Sequence, residues 1–196
     1  TYNGKAYPMG QHGFARDTEF EQIAAGEDFV TYRLCADEES KKKYPFDFVL
    51  EITHRLENNR LSVEWNVKNV DDKEMYFTIG GHPAFNVNIL PDTDFEDYSL
   101  VFKEGIETLS YILIDAENGT ALTDKTYKLE LTNSKYALKK DMFDKDALIF
   151  DNGQIEWVGL ALPNGKPYIA LESKGFPSFG IWSKPGAPYV CLEPWC

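Results

Sequence analysis

An all-β fold, a large antiparallel sandwich, is what this chain of 196 residues predicts, and three observations predict it. Apolar and polar residues alternate with period two along many short stretches, the pattern of strands with one face on a core and the other in water. Turn signals recur every ten residues or so: Asn118-Gly119, Asn152-Gly153, Asn164-Gly165 and Lys184-Pro185-Gly186. Helical periodicity is confined to one stretch, 136–148, where Asn133 or Ser134 could cap a short turn. Strand order is not legible at this level.

The clearest element is a hairpin. Phe48, Leu50, Ile52 and Leu56 share one parity, and Asp47, Glu51, Thr53 and Arg55 share the other. Leu61, Val63, Trp65 and Val67 then alternate with Ser62, Glu64, Asn66 and Lys68. Between the two runs lies Glu57-Asn58-Asn59-Arg60, and asparagine tolerates the positive φ of a tight turn. The expected pairing is Asp47–Leu56 with Arg60–Val70. Further strands are expected over Phe29–Leu34, Met75–Ile79, Tyr98–Phe102, Tyr127–Leu131, Glu156–Leu160, Tyr168–Leu171, Phe179–Trp182 and Tyr189–Leu192. No linker, repeat or low-complexity tract divides them, so residues 1–196 read as one domain.

Composition narrows the function classes. Hydrophobic residues make up 43% of the chain and aromatics 14%, enough for a core, which excludes intrinsic disorder. A net charge of −12 repels phosphate backbones and anionic lipid, so no nucleic-acid or membrane-surface partner is expected. Lys41-Lys42-Lys43 follows Asp37-Glu38-Glu39 and reads as a solvated loop. Apolar runs stay as short as Trp157–Leu162, far below the ~18 residues of a membrane helix. The three cysteines, Cys35, Cys191 and Cys196, are odd in number and lack CxxC spacing. They read as free thiols of a cytoplasmic protein, with no metal site.

Candidate chemistry rests on few residues. Of three histidines, His54 falls in the apolar parity of its strand and reads as a half-buried core residue. His12 lies in Gly10-Gln11-His12-Gly13-Phe14-Ala15-Arg16-Asp17, and His82 in Gly80-Gly81-His82-Pro83-Ala84-Phe85-Asn86. Glycines there let backbone approach a partner closely, and loops on a rigid scaffold collect binding groups. The alternative for each is a turn histidine without a role. Glu193 ends the apolar strand Tyr189-Val190-Cys191-Leu192-Glu193-Pro194-Trp195. A carboxylate among Leu, Pro and Trp is costly to desolvate unless paired or used, and such a setting tunes it toward general-base work. The bland alternative is a rim glutamate that marks a strand end. HExxH, GxSxG and Walker-type loops are absent.

At these three motifs the chain resembles the aldose 1-epimerase (galactose mutarotase) superfamily, most closely its bacterial LacX-like branch and the related hexose-6-phosphate mutarotases. The resemblance implies a mutarotase-type supersandwich with a shallow sugar cleft and neither metal nor organic cofactor. It implies Glu193 as catalytic base, His82 as catalytic acid, and His12 as a second histidine that binds sugar. Asp146, in Lys145-Asp146-Ala147-Leu148-Ile149-Phe150, falls where the family carries a sugar-binding aspartate, with a solvated loop acid as the alternative. Arg16 matches an arginine near the phosphate in the sugar-phosphate branch, or else pairs structurally with Asp17 or Glu19. Family members carry further strands before the first histidine motif and after the last strand, so the sandwich is expected to be incomplete at both termini.

The implied activity is interconversion of the α and β anomers of an aldohexose, glucose or galactose, by acid–base ring opening and closure. The implied partner is a small sugar. Two alternatives are a non-catalytic carbohydrate-binding sandwich and a hexose-6-phosphate 1-epimerase.

Overall fold

The structure, a computed structural model, describes residues 1–115 and 119–196. Asn118 of the expected Asn118-Gly119 turn lies outside the described residues. The chain divides into two compact units, residues 1–77 and 78–196.

The first unit is a four-stranded antiparallel sheet. It is built from β1 (Glu21–Ala25), β2 (Phe29–Cys35), β3 (Phe48–Glu57) and β4 (Arg60–Asn69), in that spatial order. The expected hairpin forms in register from Phe48↔Asn69 to Glu57↔Arg60, and Asn58 takes the positive φ of 52° that its turn needs. Cross-strand partners hold the polar parity. Thr31 and Thr53 share a 2.9 Å hydrogen bond, and Glu51 receives Arg33 at 2.7 Å and Lys68 at 3.2 Å. The apolar parity is buried at Phe48 and Leu50 but thins toward the hairpin tip, where Leu56 and Leu61 are exposed. His54, half-buried on that parity, leaves Nδ1 without a hydrogen-bond partner among the described residues.

Two expectations for this unit are corrected. The acidic–basic run is not all loop: Glu38–Lys41 forms one helical turn, α1. Asp37 caps it by accepting from Ser40 N–H at 2.7 Å, while its own N–H donates to Ser40 Oγ at 2.9 Å. The segment 75–79 is not a ladder strand; among the described residues only Ile79 of this segment pairs, by exchanging two backbone hydrogen bonds with Cys196 within the second unit.

The second unit contains β5 (Ala84–Asn86), β6 (Ser99–Phe102), β7 (Thr108–Ile114), β8 (Ala121–Glu130), β9 (Lys135–Ala137), β10 (Leu148–Phe150), β11 (Trp157–Ala161), β12 (Pro167–Glu172), β13 (Ser178–Trp182) and β14 (Tyr189–Trp195). They form a six-stranded sheet, β5-β14-β13-β10-β7-β8, and a four-stranded sheet, β12-β11-β6-β9. All the strand pairings are antiparallel. One hydrophobic cluster joins Phe150, Phe179, Ile181, Val190 and Leu192 of the larger sheet to Leu100, Phe102, Val158 and Leu160 of the smaller. That shared core is what makes this unit a sandwich. Each such side chain contributes about 1.5–3 kcal/mol by burial.

No helix forms over residues 136–148, another correction. Leu100 and Val101 pair with Tyr136 and Lys135, which draws the start of the stretch into the β6–β9 ladder. Ser134 and Asp146 hold φ values of 58° and 74°, which a right-handed helix does not admit. Among the described residues no helix is long and apolar enough to cross a membrane.

Candidate active site on the outer face of the six-stranded sheet

Strand alternation puts the site residues on one face. Along β14, Val190 and Leu192 enter the sandwich core, so Cys191 and Glu193 project from the opposite face of the sheet. Both are buried there, at 1% and 5% exposure. The glycine-rich motif runs beside β14 and continues the register of β5. Ala84 pairs with Cys191 and Gly80 bridges Trp195, so His82 falls opposite Glu193. Backbone bonds on either side fix this placement: Gly81 N–H donates to Pro194 O at 3.1 Å, and Leu192 N–H to Pro83 O at 3.1 Å. Pro83 has no N–H to offer, and only its carbonyl is used.

Gly80 has a steric role in this motif. A Cβ on it would stand 2.7 Å from Trp195 Cδ1 and 2.9 Å from Pro194 O. Only glycine lets the motif lie this close to β14.

The consequence is a direct pair. His82 Nδ1 stands 3.4 Å from Glu193 Oε1, slightly longer than an ordinary hydrogen bond. The two side chains differ in exposure, 42% for His82 and 7% for Glu193, so the imidazole faces solvent and the carboxyl does not. Burial pushes the Glu193 carboxyl up to about 7 from its ordinary 4.5. A hydrogen bond from the Trp195 side chain pulls the other way, and the negative charge of Asp146 adds to the rise. The Cys191 thiol is pushed up to about 12, first by burial and then by the charge of Glu193. Trp182, which pairs with Cys191, sets its ring edge-on to His82 at a centroid distance of 6.2 Å, and Tyr189 lies 6.4 Å from Trp182.

Of the five residues singled out in the sequence, the second unit brings together His82 and Glu193, with Asp146 near enough to act on Glu193 electrostatically. Asp146 sits at positive φ before β10, its Oδ1 accepting from Ala147 N–H at 2.7 Å. His12 and Arg16 belong to the first unit. His12 is exposed in a turn closed by Gly13 N–H donating to Gly10 O at 3.0 Å. Phe14 anchors this motif in an aromatic cluster, 5.7 Å from Tyr44 and 5.8 Å from Phe48. Arg16 makes an exposed pair with Asp17 at 3.3 Å. Cys191 and Trp182 escaped the sequence reading as site residues; the cue was parity, since Cys191 precedes Glu193 by two positions on one strand.

A buried, near-neutral carboxyl beside a solvent-facing imidazole can pass protons to and from a bound molecule at two adjacent points. Comparisons with known proteins show the family to which this fold belongs. The chain belongs to the aldose 1-epimerase family, whose model matches residues 1–192. It is 31% identical over 188 residues to the plasmid-borne protein LacX of Lactococcus lactis subsp. lactis, covering 94% of this chain and 62% of LacX. The chromosomal LacX of that organism matches equally. Among solved structures, a galactose mutarotase related enzyme from Lactobacillus acidophilus is 34% identical with a TM-score of 0.90, over 100% of this chain and 65% of that one. A galactose mutarotase-like protein from Lactobacillus casei ATCC 334 is 34% identical with a TM-score of 0.81, over 98% and 66%. The chain thus spans less than two thirds of the length of these relatives.

Proposed function

We propose that the protein is an aldose 1-epimerase that interconverts the α and β anomers of a free aldohexose, glucose or galactose, with Glu193 and His82 as its acid–base pair. The observation that carries this reading is the 3.4 Å approach of His82 Nδ1 to Glu193 Oε1. In a cyclic hemiacetal the ring oxygen and the C1 hydroxyl oxygen flank one carbon, so the groups that serve them must stand side by side. Glu193 takes the proton of the C1 hydroxyl while His82 delivers one to the ring oxygen, and the C1–ring oxygen bond breaks. Rotation about C1–C2 then presents the other face of the aldehyde, and reversed proton transfers close the ring. Each positioned transfer is worth roughly 10²–10⁴-fold. A base held at about 7 suits this work near neutral pH, where an ordinary glutamate would be a weaker base.

Asp146 accepts from a sugar hydroxyl in this reading, a role supported by its closeness to Glu193. For His12 and Arg16 a sugar-holding role is supported by the family resemblance alone. The net charge of −12 favours a neutral sugar over its phosphate. The family match runs through both compact units, which supports reading residues 1–196 as one aldose 1-epimerase-like domain. Three free cysteines support a reducing, cytoplasmic setting.

Polarimetry or NMR anomer exchange on fresh α-glucose and α-galactose, repeated with their 6-phosphates, tests the proposal. Acceleration of the free sugars is expected. Acceleration of the 6-phosphates alone would move the assignment to the phosphosugar branch, and no acceleration of any of the four would overturn it.

A further inference from the structure

The face that carries the acid–base pair holds a third donor of a different chemical kind. Cys191 and Glu193 are two apart on β14 and share its outer face, and His82 reaches the same point from the neighbouring backbone. One donor atom from each residue, an imidazole nitrogen, a thiol sulfur and a carboxylate oxygen, lies within 4.8 Å of the others. We infer that His82, Cys191 and Glu193 form a three-donor site for a zinc-class divalent cation, which would occupy the acid–base pair and act as an inhibitor.

Zinc bonds of about 2.0–2.3 Å place neighbouring tetrahedral donors roughly 3.5 Å apart, so the three side chains need to close by only about 1 Å. Side-chain torsions are the freedom left for that movement, since the β13–β14 ladder fixes the backbone of Cys191 and Glu193. Donor chemistry selects the ion. Magnesium and calcium take oxygen donors, whereas one nitrogen, one sulfur and one oxygen suit zinc and its spectroscopic stand-in cobalt(II). Three protein donors leave a fourth position for water, and the solvent-facing side of His82 gives the ion its way in. On binding, the thiol proton passes to solvent, the sulfur and carboxylate coordinate as anions, and no electron is transferred.

The inference shares two residues with the proposed function but does not depend on turnover, so it is tested by spectroscopy. The chain with Cys35→Ser and Cys196→Ser, which removes the two exposed thiols, is titrated with cobalt(II) and competed with zinc. One equivalent should bind with a thiolate-to-cobalt charge-transfer band, which zinc erases. Adding Cys191→Ser should abolish the band and weaken binding by more than the 10–100-fold typical of losing an outer-shell partner. Glu193→Gln should weaken binding while keeping the band. Absence of the band in the Cys35→Ser/Cys196→Ser protein, with its Cys191 intact, overturns the inference whether or not the further variants fold. Equal binding after Cys191→Ser also overturns it, because the ion would then sit elsewhere on the acidic surface. If the free sugars are turned over, saturating zinc should stop anomer exchange; if they are not, the cobalt spectrum still decides.

Discussion

Gly180 stands directly across the β13–β14 ladder from Glu193, and the space where its side chain would be holds the Trp195 indole. A Cβ on Gly180 would lie 2.6 Å from Trp195 Cζ2 and 2.8 Å from Cη2. The carboxyl therefore has a cross-strand imidazole on one side and, on the other, a bare backbone that seats its own hydrogen-bond donor. The tryptophan hydrogen bond keeps Glu193 from rising further than about 7.

Gly180→Ala should therefore act at a distance of one strand. Overpacking of this kind costs typically 1–3 kcal/mol, seen as a lower urea midpoint with unchanged slope. If Trp195 swings away, the carboxylate loses a donor and the acid limb of the activity profile moves to higher pH. A variant with wild-type stability and profile would show that the added methyl is accommodated with the indole and its hydrogen bond to Glu193 kept in place.

Glu193→Gln keeps the shape of the side chain and removes the base. Anomer exchange should fall by roughly 10²–10⁴-fold, and His82→Asn should do much the same. Because both groups serve one event, the double variant should be little slower than either single one. Polarimetric rates of the three variants check this; independent, multiplying losses would separate the pair.

The pH dependence has a defined sign. Glu193 acts as a base only when ionised, so activity should fall as pH drops through about 7 rather than through 4.5. Asp146 raises the Glu193 value by its charge, so Asp146→Asn should move this acid limb to lower pH. An unmoved limb with weakened sugar binding would leave Asp146 a sugar contact without electrostatic influence.

Stability should show the reverse of the usual carboxylate behaviour. The folded-state value of Glu193, about 7, exceeds the ordinary 4.5, so the native state holds the proton more tightly than the unfolded chain. Its contribution is fully present below pH 4.5 and is lost as pH rises through 7, on the order of 3 kcal/mol. Glu193→Gln has no charge to bury and should be more resistant to urea than the parent at pH 8. The advantage should vanish near pH 4. Greater resistance at pH 8 together with lost turnover would be the signature of a destabilising functional carboxylate.

Much of this protein is written in local sequence. The hairpin of β3 and β4 follows from period-two alternation and from an asparagine able to hold a φ of 52°, and both belong to neighbouring residues. The parity of β14 likewise separates Val190 and Leu192 from Cys191 and Glu193 before any neighbour is known. Local pattern misled where distant partners decided the outcome. Residues 136–148 carry helical spacing, yet Tyr136 is claimed by Leu100 and the chain turns through Asp146 at positive φ. Met75 to Ile79 has strand-like composition, yet among the described residues only Ile79 finds backbone to pair with, far along the chain at Cys196.

The candidate site belongs to both levels. Its residue types were legible as two motifs of the second unit, because glycines, a histidine and a glutamate among apolar residues are unusual company. Their relation was not. Only the register of the glycine-rich motif against β14 sets His82 opposite Glu193, and only folding removes the water that would otherwise hold the carboxyl near 4.5. Register and desolvation are properties of segments brought together from far apart in the chain. Alternation along a strand determines which face a side chain takes, while the tertiary structure decides what that face meets.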